Sequence, residues 1–191
     1  MGVEAFPPQL PIGDYVLRPF RLDDADAWHA YLADPRVTEH TSWPVITPQG
    51  IATFVERLIG DYADRTSLRW AIARVTDDKL IGSCGYTRWL DEEGTAELAY
   101  DLSPAYWGLG IMSSAVGVAA NWAFSAGSLT HIEALVMTTN AASIAVLERA
   151  GFQREKLLPL HRSAHGIPRD FYLYRRAATE PVQSIYSGRS K

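Results

Sequence analysis

The sequence holds a single cysteine, Cys84, among 191 residues. That excludes an internal disulfide framework and every multi-cysteine zinc site, and it fits a reducing, cytoplasmic setting. No metal site is expected. Met1 to Leu10 lacks the basic stretch and apolar core of a secretory leader, and Phe6 breaks the myristoylation pattern that Gly2 begins. A long unbroken apolar run is missing as well. Leu102 to Thr130 spans 29 positions without Asp, Glu, Lys or Arg. Pro104, Gly108, Gly110 and Asn121 interrupt it, which describes a buried loop and helix and no membrane span. Excess positive charge is also wanting, with a net charge of −4. Residues 145–191 carry nine Lys or Arg against four Asp or Glu, which reads either as ordinary surface variation or as a C-terminal half that tolerates a small polyanion. Without a high isoelectric point or an aromatic-basic motif, a nucleic-acid partner is not expected.

What is present is a chain that is 47% hydrophobic, enough to build one sizeable core. Residues 1–13 read as an N-terminal tail, 14–176 as a single domain and 177–191 as a flexible C-terminal tail. Tyr15–Pro19 reads as a strand, and Asp23-Asp24-Ala25-Asp26 supplies cap and first-turn carboxylates for a helix with Trp28, Tyr31 and Leu32. Thr47-Pro48 opens a second helix, with Ile51, Phe54, Val55, Leu58, Ile59 and Tyr62 at helical spacing. The period then shortens. Leu68–Val75, Lys79–Trp89 and Thr95–Leu102 form an antiparallel meander through polar turns. Ile111–Phe124 is a helix apolar nearly all round, Ile132–Thr138 a strand, Asn140–Ala150 a helix closed by Gly151, and Phe152–Leu158 with Asp170–Arg175 the last two strands. The elements, one strand, two helices, three strands, a helix, a strand, a helix and two strands, describe an α/β (α+β) domain of about seven strands.

Two segments carry chemistry. The first runs from Glu97 to Ser114, a strand and then a glycine loop that opens a helix. Such a loop aims backbone N–H groups and the positive end of a helix dipole at one point, where a phosphate can sit. A tight strand–helix turn needing Gly108 and Gly110 for conformation alone is the competing reading. No third glycine completes a dinucleotide fingerprint, and no Gly-Lys-Ser/Thr follows, so Rossmann and nucleotide-hydrolase readings recede. The second segment is Asn140 to Phe152. Asn140 suits a helix cap, and Ser143 clusters with it at the open helix end.

Taken together, Glu97-Leu-Ala-Tyr-Asp-Leu102, then Tyr106-Trp-Gly-Leu-Gly-Ile-Met112, then Asn140-Ala-Ala-Ser143, then Leu147-Glu-Arg-Ala-Gly-Phe152 resemble the GNAT superfamily of acetyl-CoA-dependent N-acetyltransferases, in its RimJ/RimL-like branch. Leu17-Arg18-Pro19, Trp43-Pro44, Ile81-Gly82, Asp170 and Leu173-Tyr174 extend the resemblance from Tyr15 to Arg175. It implies the GNAT fold, a mixed central sheet of about seven strands with helices on both faces, in which the strand ending at Leu102 and the strand Ile132–Thr138 splay apart to admit the pantetheine arm. Tyr100, Leu102 and the backbone of Trp107, Gly108, Leu109, Gly110, Ile111, Met112 and Ser113 would then hold acetyl-CoA, with Asn140 on the pantetheine amide. The branch usually carries Glu where Ser114 stands.

The activity so implied is acetyl transfer from acetyl-CoA to a primary amine, of a protein N-terminus or a small metabolite, by direct attack in a ternary complex. Glu97 is the candidate base; a carboxylate on a half-exposed strand face is the other reading of it. Ser143 is the candidate proton donor to the departing thiolate. The branch's loop carboxylate before the last strand is absent from Leu160-His-Arg-Ser-Ala-His165, where His161 or His165 could substitute. Trp43 and, after it, His40 are the candidate acceptor contacts; Trp28, Trp70 and Trp89 are core or pocket. A catalytically inactive acyl-CoA-binding regulator is the alternative. The resemblance also admits a homodimer.

Overall fold

The computed structural model describes residues 6–41, 47–64, 68–90, 94–126 and 129–178. In chain order these form β1 (Leu10–Ile12), β2 (Tyr15–Pro19), α1 (Asp24–Leu32), α2 (Pro35–Thr38), α3 (Pro48–Asp64), β3 (Leu68–Arg74), β4 (Leu80–Leu90), β5 (Thr95–Leu102), a 3-10 turn (Pro104–Tyr106), α4 (Ile111–Ala126), β6 (His131–Met137), α5 (Ala141–Arg149), β7 (Gln153–Ala164) and β8 (Ile167–Ala177). The strands make one sheet in the order β1-β2-β3-β4-β5-β6-β8-β7. Every pairing is antiparallel except β5 with β6.

Both faces are covered. Leu68 to Ala73 of β3 are all buried, as a strand sandwiched on both sides requires. Leu68, Trp70 and Ile72 face the core under α4, while Ala71 packs with Trp28, Val55 and Leu58 under α1 and α3. The helix α3 starts where Thr47 Oγ1 accepts the Gly50 N–H at 3.0 Å, with Pro48 first in the helix. The inner side of α4 is built from Ala115, Val116, Ala119, Ala120 and Ala123, all fully buried. Their small size seats that helix close on the sheet. Arg18 joins three elements, donating to both oxygens of Asp24 at 2.8 Å and to Asp78 at 2.7 Å.

The helices and the meander stand where the pattern puts them, and three features go beyond it. Leu10–Ile12, read as part of a tail, pairs with β2 and becomes an eighth strand at the sheet edge. Pro35–Thr38 forms a short helix because the Asp34 side chain accepts the Arg36 N–H. Residues 159–164, read as a loop, continue β7, so β7 and β8 form one long hairpin to Ile167. That ribbon is mostly exposed and held by backbone pairing, so it carries no apolar alternation to read.

Gly85 sits where β3 and β4 come closest: a Cβ there would lie 2.2 Å from the Leu68 carbonyl oxygen and 2.4 Å from Arg69 Cα. Gly85→Ala is expected to destabilise the protein by about 3 kcal/mol, since backbone must move to admit it. Gly117, mid-way along α4, has nothing within 4 Å of the equivalent point. Gly117→Ala is expected to stabilise by about 0.5–1 kcal/mol through helix propensity, and urea denaturation of the two variants checks both signs. Burial pushes the Cys84 thiol up to about 12, so it stays protonated at pH 8. A thiol reagent should leave the native protein unmodified and label it fully in denaturant.

Candidate active site

The parallel pairing of β5 with β6 lasts three residues, Thr95 with His131, Ala96 with Ile132 and Glu97 with Glu133. Past Glu97 the two strands run on to Leu102 and Met137 with no mutual pairing. Ser103 N–H bonds the Ile81 carbonyl of β4 at 2.9 Å. By strand alternation, the N–H groups of Leu102 and Tyr100 therefore point the other way, into the gap. The gap widens into a cleft of about 1310 Å³ lined by β5, β6, α3, α5, the β7–β8 hairpin and the loop before α4.

That loop is built for a backbone role. Gly108 and Gly110 take φ of +78° and +75°, and each would meet nothing within 4 Å if it carried a Cβ, so the left-handed backbone requires glycine and the space beside it is open. The first helical bond of α4 is Ser114 N–H to Gly110 carbonyl at 3.1 Å. The N–H groups of Ile111, Met112 and Ser113 thus have no partner within the helix, and no acidic residue lies in its first turn. Trp107 Nε1 donates to the Leu102 carbonyl at 2.8 Å, tying loop to strand. Ile111 and Met112 bury their side chains in the core; Leu109 projects its side chain to solvent at 64% exposure.

Across the gap, Asn140 Oδ1 accepts the Ser143 N–H at 3.0 Å and caps α5. The Tyr100 hydroxyl lies 2.6 Å from Ser143 Oγ and 3.2 Å from the Ser143 carbonyl oxygen. Tyr100 therefore bridges the splay. Burial raises its pKa, which keeps the phenol protonated.

Alternation sorts the rest of β5. Leu98 and Leu102 join the core under α4, whereas Glu97 and Asp101 lie on the α1–α3 face. Arg162 of β7 grips Glu97 with two parallel bonds of 3.0 and 3.1 Å. Asp101 is buried and accepts from Trp28 Nε1 at 3.0 Å, Ser83 Oγ at 2.8 Å, Arg69 at 2.5 Å and the Tyr31 hydroxyl. Burial, with the charge of Asp101, raises the Tyr31 pKa well above its usual value.

The cleft brings together Glu97, Tyr100, Leu102, Trp107, Gly108, Gly110, Ile111, Met112, Ser113, Asn140, Ser143 and His40. Trp43 lies outside the described residues. Trp28 and Trp70 are fully buried core. His165 Nε2 sits 2.9 Å from the Thr38 carbonyl, to which it donates, so it fastens the hairpin to α2; His161 packs edge-on to Phe171.

The profile of the acetyltransferase (GNAT) domain matches residues 14–153. The chain belongs to the GNAT family of acetyltransferases. It is accordingly an acetyl-CoA-dependent N-acetyltransferase. An uncharacterized N-acetyltransferase of Bacillus licheniformis, p20, is 34% identical over 159 residues, which are 83% of this chain and 89% of that protein. Mycobacterium smegmatis RimJ in complex with CoA-disulfide superposes with a TM-score of 0.78 at 25% identity, over 86% of this chain and 82% of that one. RimL, a ribosomal L7/L12 α-N-protein acetyltransferase solved with coenzyme A, shares the fold at a TM-score of 0.81 and 19% identity, over 88% and 97% of the two chains. The GNAT fold and the likeness to the RimJ/RimL branch read from sequence are both borne out.

Arg162, Arg69 and Asp101 escaped the sequence reading. An Asp inside the apolar stretch Leu98–Leu102 was the one signal available, because a carboxylate there needs buried partners. Asp101→Asn would leave the Arg69 guanidinium, 4% exposed, without its counter-charge. The expected loss is about 3–5 kcal/mol of stability, read as a lowered urea midpoint.

Proposed function

We propose that this GNAT enzyme transfers the acetyl group of acetyl-CoA to a primary amine, on a protein N-terminus or a small metabolite, by direct attack within a ternary complex. The observation that carries the reading is the parting of β5 and β6 after Glu97, with N–H groups of Tyr100 and Leu102 facing the gap and a glycine loop at its mouth. The RimJ and RimL structures hold coenzyme A species, which supports the same use of the cleft here.

Acetyl-CoA supplies an activated acetyl thioester. The open N–H groups of residues 108–113 and the dipole of α4 fit its diphosphate, and nothing acidic in the first turn repels it. The N–H groups on the free edge of β5 are placed to polarise a carbonyl. Glu97 accepts the proton of the incoming ammonium, directly or through a water, while the Arg162 fork fixes its rotamer. Ser143 is the proton donor to the thiolate, and the Tyr100 hydroxyl 2.6 Å away can return a proton to it. Asn140, its Oδ1 already capping α5, keeps its amide N–H groups for the pantetheine arm. Holding amine and thioester together supplies much of the rate, up to about 7–11 kcal/mol in the best intramolecular cases.

Release of free thiol from acetyl-CoA across an amine panel tests the proposal. Turnover is expected for at least one amine, with Glu97→Gln lowering kcat by about 100-fold. Ser143→Ala is expected to lower kcat as well, with a steeper loss at high pH than for the native protein if Ser143 delivers the proton. Tight acetyl-CoA binding without thiol release on any amine would instead identify an acyl-CoA-binding regulator.

A further inference from the structure

The chain as a whole carries a net charge of −4, yet the acceptor half of the cleft reverses that sign. Its walls, contributed by α2, α3 and their connection, β3, β4, β5 and β7, hold five guanidiniums and three carboxylates. Three of the five are already paired: Arg36 with Asp34, Arg69 with Asp101 and Arg162 with Glu97. The other two, Arg57 and Arg88, have no carboxylate partner among the described residues.

Neither position is incidental. Phe54 and Arg57 lie three residues apart on α3, so they share one face, and the Arg57 guanidinium lies 4.6 Å from the Phe54 ring centroid. Arg88 stands directly opposite Glu97 in the β4–β5 register, which puts both side chains on the same face of the sheet. The register breaks between Tyr86 and Arg88, and this bulge presents Thr87 and Arg88 side by side to the cleft.

Arg88 is also far from the glycine loop proposed for the coenzyme's phosphates. Glu97, and with it Arg88, lies five residues before Leu102 on β5, about 16 Å at about 3.3 Å per residue from the start of the glycine loop. A diphosphate on that loop leaves Arg88 uncovered.

The geometry points to an acceptor with two parts: an amine that reaches Glu97, and a carboxylate or phosphate that Arg57 and Arg88 take up. This rests on the acetyltransfer reading above and adds the substrate class. Planar guanidiniums bind either anion through paired N–H groups, and two of them select for charge and reject the neutral isostere. Arg162 has a part in it too. Its fork fixes the Glu97 side chain in place, so the acceptor meets an ordered acidic group for its amine and two guanidiniums, unpaired with any carboxylate among the described residues, for its acidic group.

Steady-state acetylation of matched acceptor pairs tests this. One pair is a short peptide with a free serine N-terminus followed by two glutamates, against the same peptide with two glutamines. The other is 2-aminoethyl phosphate against 2-aminoethanol. In at least one pair the anionic member should have the higher kcat/KM, on the order of tenfold, carried by KM, and the ratio should shrink in about 0.5 M salt. The pair that responds separates a carboxylate from a phosphate. In Arg57→Gln/Arg88→Gln the ratio should collapse toward one; each single substitution should lower it in part, which serves if the double variant does not fold. Ratios within about twofold of one in the native protein overturn the inference, as does a ratio that survives in variants with native acetyl-CoA affinity. No thiol release from any acceptor, with acetyl-CoA still bound, overturns the acetyltransfer reading itself, a separate outcome.

Discussion

A strand in the middle of a sheet is ordinarily held along both edges, and β5 is held along one. Its ladder to β4 runs the full length from Thr95 to Leu102, while its ladder to β6 stops at Glu97. The free half stays extended because other bonds replace the missing ladder. Asp101 is locked from the α1–α3 face by Arg69, Ser83, Trp28 and Tyr31. The Leu102 carbonyl is taken by the Trp107 indole, and the Tyr100 hydroxyl reaches Ser143 across the gap. Buried polar networks of this kind are costly unless every member is satisfied. Here the network fixes an edge whose backbone donors are left for another molecule.

The pleat of β5 divides the labour. Tyr100 and Leu102 look toward α4 and α5, and Glu97 looks toward α1 and α3. One strand with a period of two thus places a carboxylate and a hydroxyl pair on opposite faces. Gly82 on β4 lets this strand be approached closely from its paired side: a Cβ there would lie 2.7 Å from Leu102 Cδ1 and 2.8 Å from the Asp101 carbonyl oxygen.

Much of this was legible before any coordinates. Helical spacing from Ile51 to Tyr62 and the meander from Leu68 to Leu102 follow from burial on defined faces, which leaves a period in the sequence. The glycine loop and the Asn140–Ser143 pair were legible because capping and left-handed φ restrict residue type. What escaped depends on contacts between distant segments. Arg162 meets Glu97 across 65 positions, and Arg69 meets Asp101 across 32. The far half of the β7–β8 hairpin was taken for a loop, since a strand exposed on both faces has no hydrophobic alternation. Leu10–Ile12 is too short for any period to register.

The hairpin also sets the outer boundary of the sheet. Among the described residues β7 has no neighbour on its far side, which would ordinarily invite another chain to add a strand. Along that rim stand Arg154, Glu155 and Lys156, then Pro159, which has no N–H to offer, and Leu160 in a left-handed turn at φ +48°. The ladder to β8 itself loses register at 154/156 and again at 158/162. Such an irregular, charged border makes a poor template for sheet-to-sheet growth, so the exposed ribbon guards against polymerisation while it also carries the Arg162 that pairs with Glu97.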